Sequence, residues 1–292
     1  MKKLLVFAVF FFLISSASGQ DLIGRICHSI CNCLDSLENA DSLASRLDRC
    51  VPETFSIIYN LDAEDEIDYM SDTDSLKKTL DIVMDSLTAY CPKIRECILE
   101  DKKAQYYRMS DSDLANEAYR EGYEAFQARD LKTAEKKFLQ AIKICPKWVY
   151  PYDDIGIIYR QIGDYKKAVR YYDKSLEIYP EGPYAIQNQA VAYLYLHEYG
   201  KALENYDFLI YLYPKDPEGY FGKGKLFFLQ EDYENALDYI LYSHKMYVDQ
   251  NSKYVKDTES LISNIYNKMK EINKLDIFNQ KLEAQGIRFN TD

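Results

Sequence analysis

Four residues of metal-binding types lie close together near the start of the chain. The stretch CHSICNC contains Cys27, His28, Cys31 and Cys33, and thiolate and imidazole groups are common zinc ligands. Their spacing is not that of a standard zinc finger, and no C-x-x-C precedes the histidine, as attachment of a c-type haem requires. A metal-binding or thiol-redox centre in this cluster is therefore the alternative interpretation, and we expect no metal and no cofactor.

Residues that perform acid-base chemistry show no recognisable catalytic pattern. His28, His197 and His244 are far apart in the sequence, and the chain has no G-x-S-x-G, H-E-x-x-H or phosphate-binding loop motif. Two acids are adjacent at Asp153 and Asp154, in a stretch rich in tyrosine. We expect these acids to select a cation or an amide of a partner rather than to transfer protons. The sequence therefore predicts a protein that is not an enzyme.

The first residues predict export from the cytoplasm. Lys2 and Lys3 precede an apolar run over residues 4–14, and small residues follow at 17–19. This run is much shorter than the roughly 20 residues that span a bilayer, and the pattern is typical of a cleaved signal peptide, here residues 1–19. Because no second long apolar run follows, we expect a secreted or periplasmic protein with no membrane span.

The cysteines of an exported protein are typically paired, and six of the seven lie in one short segment. An even number of cysteines in such a segment indicates a disulfide framework. The candidates are Cys27, Cys31, Cys33, Cys50, Cys91 and Cys97. The seventh, Cys145, is predicted to be a thiol packed at a helix end.

The pairing of these cysteines depends on how the first helices meet. If they form an antiparallel hairpin that turns near Asn39, Cys50 lies opposite Cys27, and we predict a disulfide between them. Cys31 and Cys33 occupy different sides of the first helix and should reach different neighbours. They are assigned, in an order that stays open, to Cys91 and Cys97.

Charge and composition limit the class of partner. The formal net charge is -11, and an acidic surface repels phosphate backbones, so we expect no nucleic-acid partner. Tyrosine is abundant, with 28 residues. Because a tyrosine ring offers a large apolar area with few rotatable bonds and a hydroxyl that still forms hydrogen bonds, this composition favours recognition of a protein or peptide.

The second half of the chain repeats itself with a period of 34 residues, which separates Pro146, Pro180 and Pro214. Small residues keep the same period in two series, Gly122, Gly156, Ala190 and Gly224, and Ala134, Ala168, Ala202 and Ala236. Small residues at fixed places allow two antiparallel helices to approach closely. A proline ends each unit because it cannot continue a helix.

This pattern resembles the tetratricopeptide repeat, a helix-turn-helix unit of 34 residues. The second unit matches the family signature best, at Tyr152, Gly156, Tyr159, Gly163, Ala168, Tyr172 and Pro180. The other units depart from it at the bulky apolar position before the first small residue, where they have Glu121, Gln189 and Lys223. The resemblance implies an all-α solenoid built from helix pairs.

These patterns divide the chain into segments. Residues 20–110 are predicted to form a cysteine-rich helical domain, which is a small disulfide-linked bundle. Residues 111–250 are predicted to hold four repeats, over 115–148, 149–182, 183–216 and 217–250. The last repeat of an array needs its stacking surface covered, and an amphipathic pattern predicts a capping helix, followed by a tail, within 251–292. The predicted fold is therefore an all-α solenoid of four helix pairs with a C-terminal capping helix, preceded by the bundle.

The resemblance also implies where a partner would bind. In that family the first helices of successive repeats line a concave groove, and the corresponding positions here are Tyr119, Tyr123, Tyr150, Asp153, Ile157, Tyr184, Gln187, Asn188, Val191, Phe221 and Lys225. A subgroup of the family binds a terminal carboxylate through lysine and asparagine. Tyr119 and Tyr123 replace those residues here, so that ligand is not expected.

The predicted function follows from this groove. We expect a non-catalytic interaction scaffold that binds a protein or peptide segment in an aromatic groove outside the cytoplasm. The sequence does not predict the oligomeric state or the partner's identity.

Overall fold

The computed structural model describes residues 17–36, 43–62 and 73–287, and every regular element within these ranges is an α-helix. The predicted all-α class is confirmed. The helices are α1 (Ala17–Ser36), α2 (Leu43–Asp62), α3 (Thr73–Tyr90), α4 (Pro92–Tyr106), α5 (Asp113–Gln127), α6 (Leu131–Ile144), α7 (Val149–Gln161), α8 (Tyr165–Ile178), α9 (Pro183–Tyr195), α10 (Tyr199–Leu212), α11 (Pro217–Leu229), α12 (Tyr233–Asp249), α13 (Val255–Glu271) and α14 (Leu275–Gln285).

The predicted signal peptide lies mostly outside the described ranges. Its last three residues, 17–19, begin α1. Among the helices that the structure describes, none has the length and apolar character to cross a membrane.

The chain divides into two compact units, Met1–Asp101 and Lys102–Asp292. The first is a helical bundle whose described core contains Ile26 and Ile30 from α1 and Val83 from α3. Two disulfides join its helices, namely Cys31–Cys91 and Cys33–Cys50. A bundle of this size buries little apolar surface, so the cross-links add stability that the core alone does not supply.

The predicted disulfide between Cys27 and Cys50 is wrong. Cys50 bonds to Cys33 instead, while Cys27 is a free, buried thiol that donates a hydrogen bond to the Val83 carbonyl at 3.7 Å. The prediction assumed helices of equal length on either side of a turn at Asn39. The observed bond instead places Cys33, six residues beyond Cys27 on α1, next to Cys50 of α2, so the two helices meet in a different register.

The predicted assignment of Cys31 and Cys33 to Cys91 and Cys97 is correct for Cys31 and wrong for Cys33. Cys31 pairs with Cys91. Because Cys33 is bonded to Cys50 of α2, Cys97 has no disulfide partner and is a free thiol. Cys145 is also a free thiol.

The free thiols should differ in reactivity. Burial raises the pKa of the Cys27 thiol to about 11, and the thiolate is the form that reacts. We expect iodoacetamide at pH 8 to leave Cys27 unmodified in the native protein and to modify it in denaturant, whereas the partly exposed Cys97 reacts in both states. Mass spectrometry of non-reduced peptides checks the pairing, and a Cys27–Cys50 cross-link would contradict the structure.

The second unit contains four consecutive helix pairs, α5 with α6, α7 with α8, α9 with α10 and α11 with α12, and the predicted solenoid is confirmed. Three of the second helices have an N-cap aspartate, namely Asp130, Asp164 and Asp232. The side chain of each accepts a hydrogen bond from the backbone amide three residues later. This cap satisfies an amide that has no partner inside the helix.

Each first helix meets its second helix at a small residue. A Cβ added at Gly156 would overlap the ring of Tyr172, and one added at Gly122 would lie 2.8 Å from the ring of Phe138. Tyr172 and Phe138 are fully buried. The absence of a side chain at the glycine therefore sets the distance between the two helices of a repeat.

Replacing Gly156 tests this contact. We expect Gly156→Ala to lower the free energy of unfolding by about 1 to 3 kcal/mol because the tyrosine ring must move in a filled core. Gly200→Ala is the matched control, since a Cβ there meets nothing within 4 Å, and alanine should stabilise α10 by up to about 1 kcal/mol. Urea unfolding measures both, and equal effects would show that helix propensity, not contact, decides the outcome.

The predicted capping helix is present as α13, and a helix that the sequence did not predict, α14, follows it. Ile265 and Met269 from α13 and Phe278 from α14 are buried against Leu237 and Ile240 of the last repeat. Tyr254 and Ile272, which flank the two ends of α13, are exposed. The array therefore ends in a helix pair that covers its last stacking surface.

Candidate functional site

The predicted groove residues all lie on the first helices of the repeats. They are Tyr119 and Tyr123 on α5, Tyr150, Asp153 and Ile157 on α7, Tyr184, Gln187, Asn188 and Val191 on α9, and Phe221 and Lys225 on α11. The structure does not expose them equally. Tyr123 and Tyr184 are exposed, whereas Asp153 is only 3% exposed. The groove accordingly has a covered part and an open part.

The covered part is occupied by the chain's own residues 102–112, which we call the linker segment. The Tyr107 ring lies against two groove rings, with centroids 5.1 Å from Tyr150 and 4.8 Å from Tyr184, and against Tyr179 at the end of α8, at 5.8 Å. Its hydroxyl donates to Asp153 Oδ2 at 3.0 Å. Sequence reasoning missed this contact because the occupant comes from outside the repeats.

One position of each first helix contacts the linker segment in three successive repeats. In the first, Asn116 Nδ2 donates to the Ser110 carbonyl at 2.7 Å. In the second, the Tyr150 hydroxyl donates to the Tyr107 carbonyl at 3.3 Å. In the third, Tyr184 packs against Tyr107, whereas the fourth has Glu218 at the equivalent place.

A buried carboxylate, Asp153, lies beneath the linker segment, and a half-buried one, Asp154, follows it on α7. Burial raises the pKa of Asp153 to about 7 and that of Asp154 to about 6, although each accepts a tyrosine hydroxyl. The donors are Tyr107 for Asp153 at 3.0 Å and Tyr119 for Asp154 at 2.7 Å. The second oxygen of Asp153, Oδ1, is buried with no hydrogen-bond partner among the described residues. The acids that the sequence placed on the groove wall thus bind the protein's own tyrosines.

The open part is a cavity of about 610 Å³ in the third and fourth repeats. Four predicted groove residues line it, namely Gln187, Val191, Phe221 and Lys225. Two groups that the sequence analysis missed, Arg160 and Glu218, line it as well. Arg160 continues the stripe of Asp153 and Ile157 along α7, and Glu218 holds the repeat position of Tyr150 and Tyr184, so both follow from the helical and 34-residue periods.

The charged side chains of the cavity differ in whether other residues of the protein supply their hydrogen-bond partners. Glu218 accepts hydrogen bonds from Gln187 and from the Tyr247 hydroxyl, the latter at 2.7 Å, and burial raises its pKa. Arg160 Nε is buried and has no hydrogen-bond partner among the described residues. Lys225 is exposed beside the Phe221 ring, with Nζ 5.5 Å from the centroid. The cavity therefore has an acid whose hydrogen bonds come from the protein and two cationic side chains, Arg160 and Lys225.

The remaining predicted groove residues lie elsewhere on the array. Tyr119 and Tyr123 border a separate open cavity of about 500 Å³ with Met109 and Asn116. Asn188 donates to the Tyr184 carbonyl of its own helix at 2.8 Å. Ile157 is half-buried on α7.

The cysteine cluster offers few groups to a metal. Cys31 and Cys33 are disulfide-bonded, and Cys27 is buried. His28 Nδ1 lies 2.8 Å from the Gly24 carbonyl, and within the described residues no group of three or more potential ligands converges.

Comparison with known families identifies the helix pairs. Models of the tetratricopeptide repeat match residues 154–181 and residues 188–243. These two stretches therefore match tetratricopeptide repeats. None of the curated proteins matches the chain. Tetratricopeptide repeats are generally non-catalytic scaffolds that commonly bind protein or peptide partners, and the fold supports such a general role here.

Solved structures with these repeats resemble the chain at low identity. MamA 41-end from Desulfovibrio magneticus RS-1 is 15% identical with a TM-score of 0.49, over 60% of this chain and 95% of that chain. A tetratricopeptide repeat protein from Parabacteroides merdae is 21% identical with a TM-score of 0.46, over 60% of this chain and 68% of its own. The TPR2B-domain:pHsp70 complex of yeast Sti1 is 27% identical with a TM-score of 0.34, over 35% of this chain and 82% of that chain.

The buried Asp153 predicts a pH dependence of stability. Its folded pKa, about 7, lies above the ordinary value of 3.8 for an aspartate, so the folded state binds more protons between these values and the contribution of Asp153 to stability falls as pH rises. The unfolding free energy of Asp153→Asn minus that of the wild type should therefore increase from pH 4 to pH 7 and then level off. The total increase is up to about 4 kcal/mol.

Urea unfolding at a series of pH values measures this difference. Asp130→Asn is the control, because the pKa of the exposed Asp130 is lowered by its hydrogen bonds to Thr133 and its difference should stay flat between pH 4 and pH 7. A flat difference for Asp153→Asn as well would contradict the raised pKa.

Proposed function

We propose that this protein is a non-catalytic scaffold, exported from the cytoplasm, that binds a peptide segment of a protein partner in the open cavity of its third and fourth repeats. The observation that carries the proposal is the cavity itself, of about 610 Å³, which lies on the face where the family resemblance predicts a groove. Its volume is within the range of ordinary ligand sites.

The lining of the cavity defines the chemistry of the peptide. Val191, Leu194, Phe221 and Phe228 present apolar surface, and Phe221 also packs against the Tyr247 ring with centroids 6.1 Å apart. Arg160 and Lys225 add positive charge, whereas Glu218 already accepts two hydrogen bonds. We therefore expect an extended segment with a large apolar side chain and a neighbouring acidic group.

The proposed location outside the cytoplasm rests on the disulfides and the N-terminal pattern. Disulfides such as Cys31–Cys91 and Cys33–Cys50 persist in oxidising compartments. The charged and apolar pattern of residues 1–19 is that of a secretory signal.

The non-catalytic part of the proposal rests on the two histidines within residues 102–292, whose side chains form local contacts. His197 lines the cavity, but its Nδ1 lies 3.0 Å from the Tyr199 hydroxyl. His244 Nδ1 lies 2.8 Å from the Thr258 hydroxyl, and burial lowers its pKa. Binding rather than proton transfer is what this arrangement supports.

Phe221→Ala tests the binding site. Peptides selected by phage display on the purified protein should bind Phe221→Ala at least tenfold more weakly, because truncating a central aromatic anchor typically costs more than about 1 kcal/mol. Phe208→Ala is the matched control, since Phe208 is an exposed phenylalanine on a second helix, α10. Isothermal titration calorimetry measures both, after circular dichroism has shown that each variant is folded.

A charge variant separates the two parts of the expected ligand. Lys225→Gln should weaken peptides that contain an acidic residue and leave their apolar analogues unchanged. If the selected peptides bind the wild type, Phe221→Ala and Phe208→Ala with equal affinity, the binding surface lies outside this cavity.

A further inference from the structure

The surface under Tyr107 has the composition of a recognition site rather than of a repeat core. Three tyrosine rings surround one side chain, and a buried carboxylate accepts the hydroxyl at the end of it. Gly182 leaves room at the rim, since a Cβ there would lie 3.1 Å from the Tyr107 hydroxyl. The pocket thus fits a tyrosine in both shape and hydrogen bonding.

Cationic residues that precede the tyrosine are also recognised. Lys102 Nζ lies 2.8 Å from Glu181 Oε1, and Lys103 Nζ lies 5.3 Å from the centroid of the Tyr184 ring. Tyr106 stacks on Tyr179 with centroids 4.6 Å apart. The linker segment therefore presents lysines followed by tyrosines to an acidic and aromatic surface.

We propose that Tyr150, Asp153, Tyr179 and Tyr184 form a second peptide-binding site, which selects a tyrosine preceded by lysines, and that the linker segment is its resident occupant, which an external segment of the same chemistry displaces. This site is separate from the open cavity, and the proposal does not depend on the peptide proposed there.

Several contacts of the resident segment are of the kind that an external segment can replace. Residues 107–112 contain no helix. The Lys102–Glu181 ion pair is partly exposed, with 40% and 25% of the side chains accessible, and such pairs contribute little. Asp153 Oδ1 has no hydrogen-bond partner of standard geometry among the described residues, although Ser175 also stabilises the carboxylate.

Tethering gives the resident segment its advantage. A segment joined to its site by a short linker has an effective concentration in the millimolar range, so a free peptide with the same contacts competes poorly until the tether or the contact is weakened. A variant that weakens only the resident segment should therefore reveal the site.

The experiment titrates a fluorescently labelled peptide of residues 102–112, KKAQYYRMSDS, with the full-length protein. We expect saturable binding to Tyr107→Ala that is at least tenfold tighter than binding to the wild type. A peptide with phenylalanine in place of its second tyrosine should bind Tyr107→Ala more weakly, because it cannot donate to Asp153. Tyr123→Ala is the control, as Tyr123 is exposed and does not contact Tyr107.

A milder variant keeps the test decisive if Tyr107→Ala does not fold. Lys102→Glu repels Glu181 at a partly exposed position, and it should increase binding of the peptide about threefold over the wild type. Gain of binding in a folded Tyr107→Ala or in Lys102→Glu, with none in Tyr123→Ala, supports the site. Absence of any gain in the folded variants would overturn the proposal and leave the linker segment as fixed packing.

Discussion

The structure of the repeat array depends on the contact between a small residue of each first helix and a large residue of the second. Gly122, Gly156 and Gly224 lie against Phe138, Tyr172 and Ile240, and a Cβ at any of the three glycines would come within 2.8 Å of the opposite side chain or closer. Close approach buries the facing sides of both helices. One helix pair cannot cover its outer faces, so the units must stack, and α13 and α14 must close the end.

In the stacked array the tyrosines occupy two kinds of position, one in the buried core and one on the row of first helices. Tyr172 and Tyr206 fill the spaces opposite small residues and are fully buried. Tyr150 and Tyr184 occur once per unit on the row of first helices, where they are free to contact another segment. The same residue type therefore serves as core and as recognition surface, and position in the 34-residue period decides which. At Glu218 the period presents an acid instead, and this is where the groove is open.

The 34-residue period of the sequence predicted the structural features that recur in each repeat. It could not predict contacts that occur only once in the chain. It predicted the helix pairs and the first-helix positions, and it contained enough to find Arg160 and Glu218. It could not predict the left-handed turns at Arg129, His197 and Glu231, with φ of 61°, 57° and 61°, because only Gly163 among the four equivalent residues is a glycine. The contact between Tyr107 and Asp153 and the register of the disulfides join segments outside the period, so no spacing indicates them.

The burial of Asp153 connects the stability of the array with the selectivity proposed for the site under Tyr107. A carboxylate that is fully removed from water is destabilising unless it is neutralised or hydrogen-bonded, and Ser175 and the Tyr107 hydroxyl are the side-chain groups that stabilise the Asp153 carboxylate. Phenylalanine in place of Tyr107 would keep the ring contacts with Tyr150 and Tyr184 but leave the acid without the tyrosine hydroxyl. An apolar floor would accept any aromatic side chain, whereas a buried acid discriminates against those that cannot donate. The cost of burying the acid is therefore also the source of the proposed preference for tyrosine.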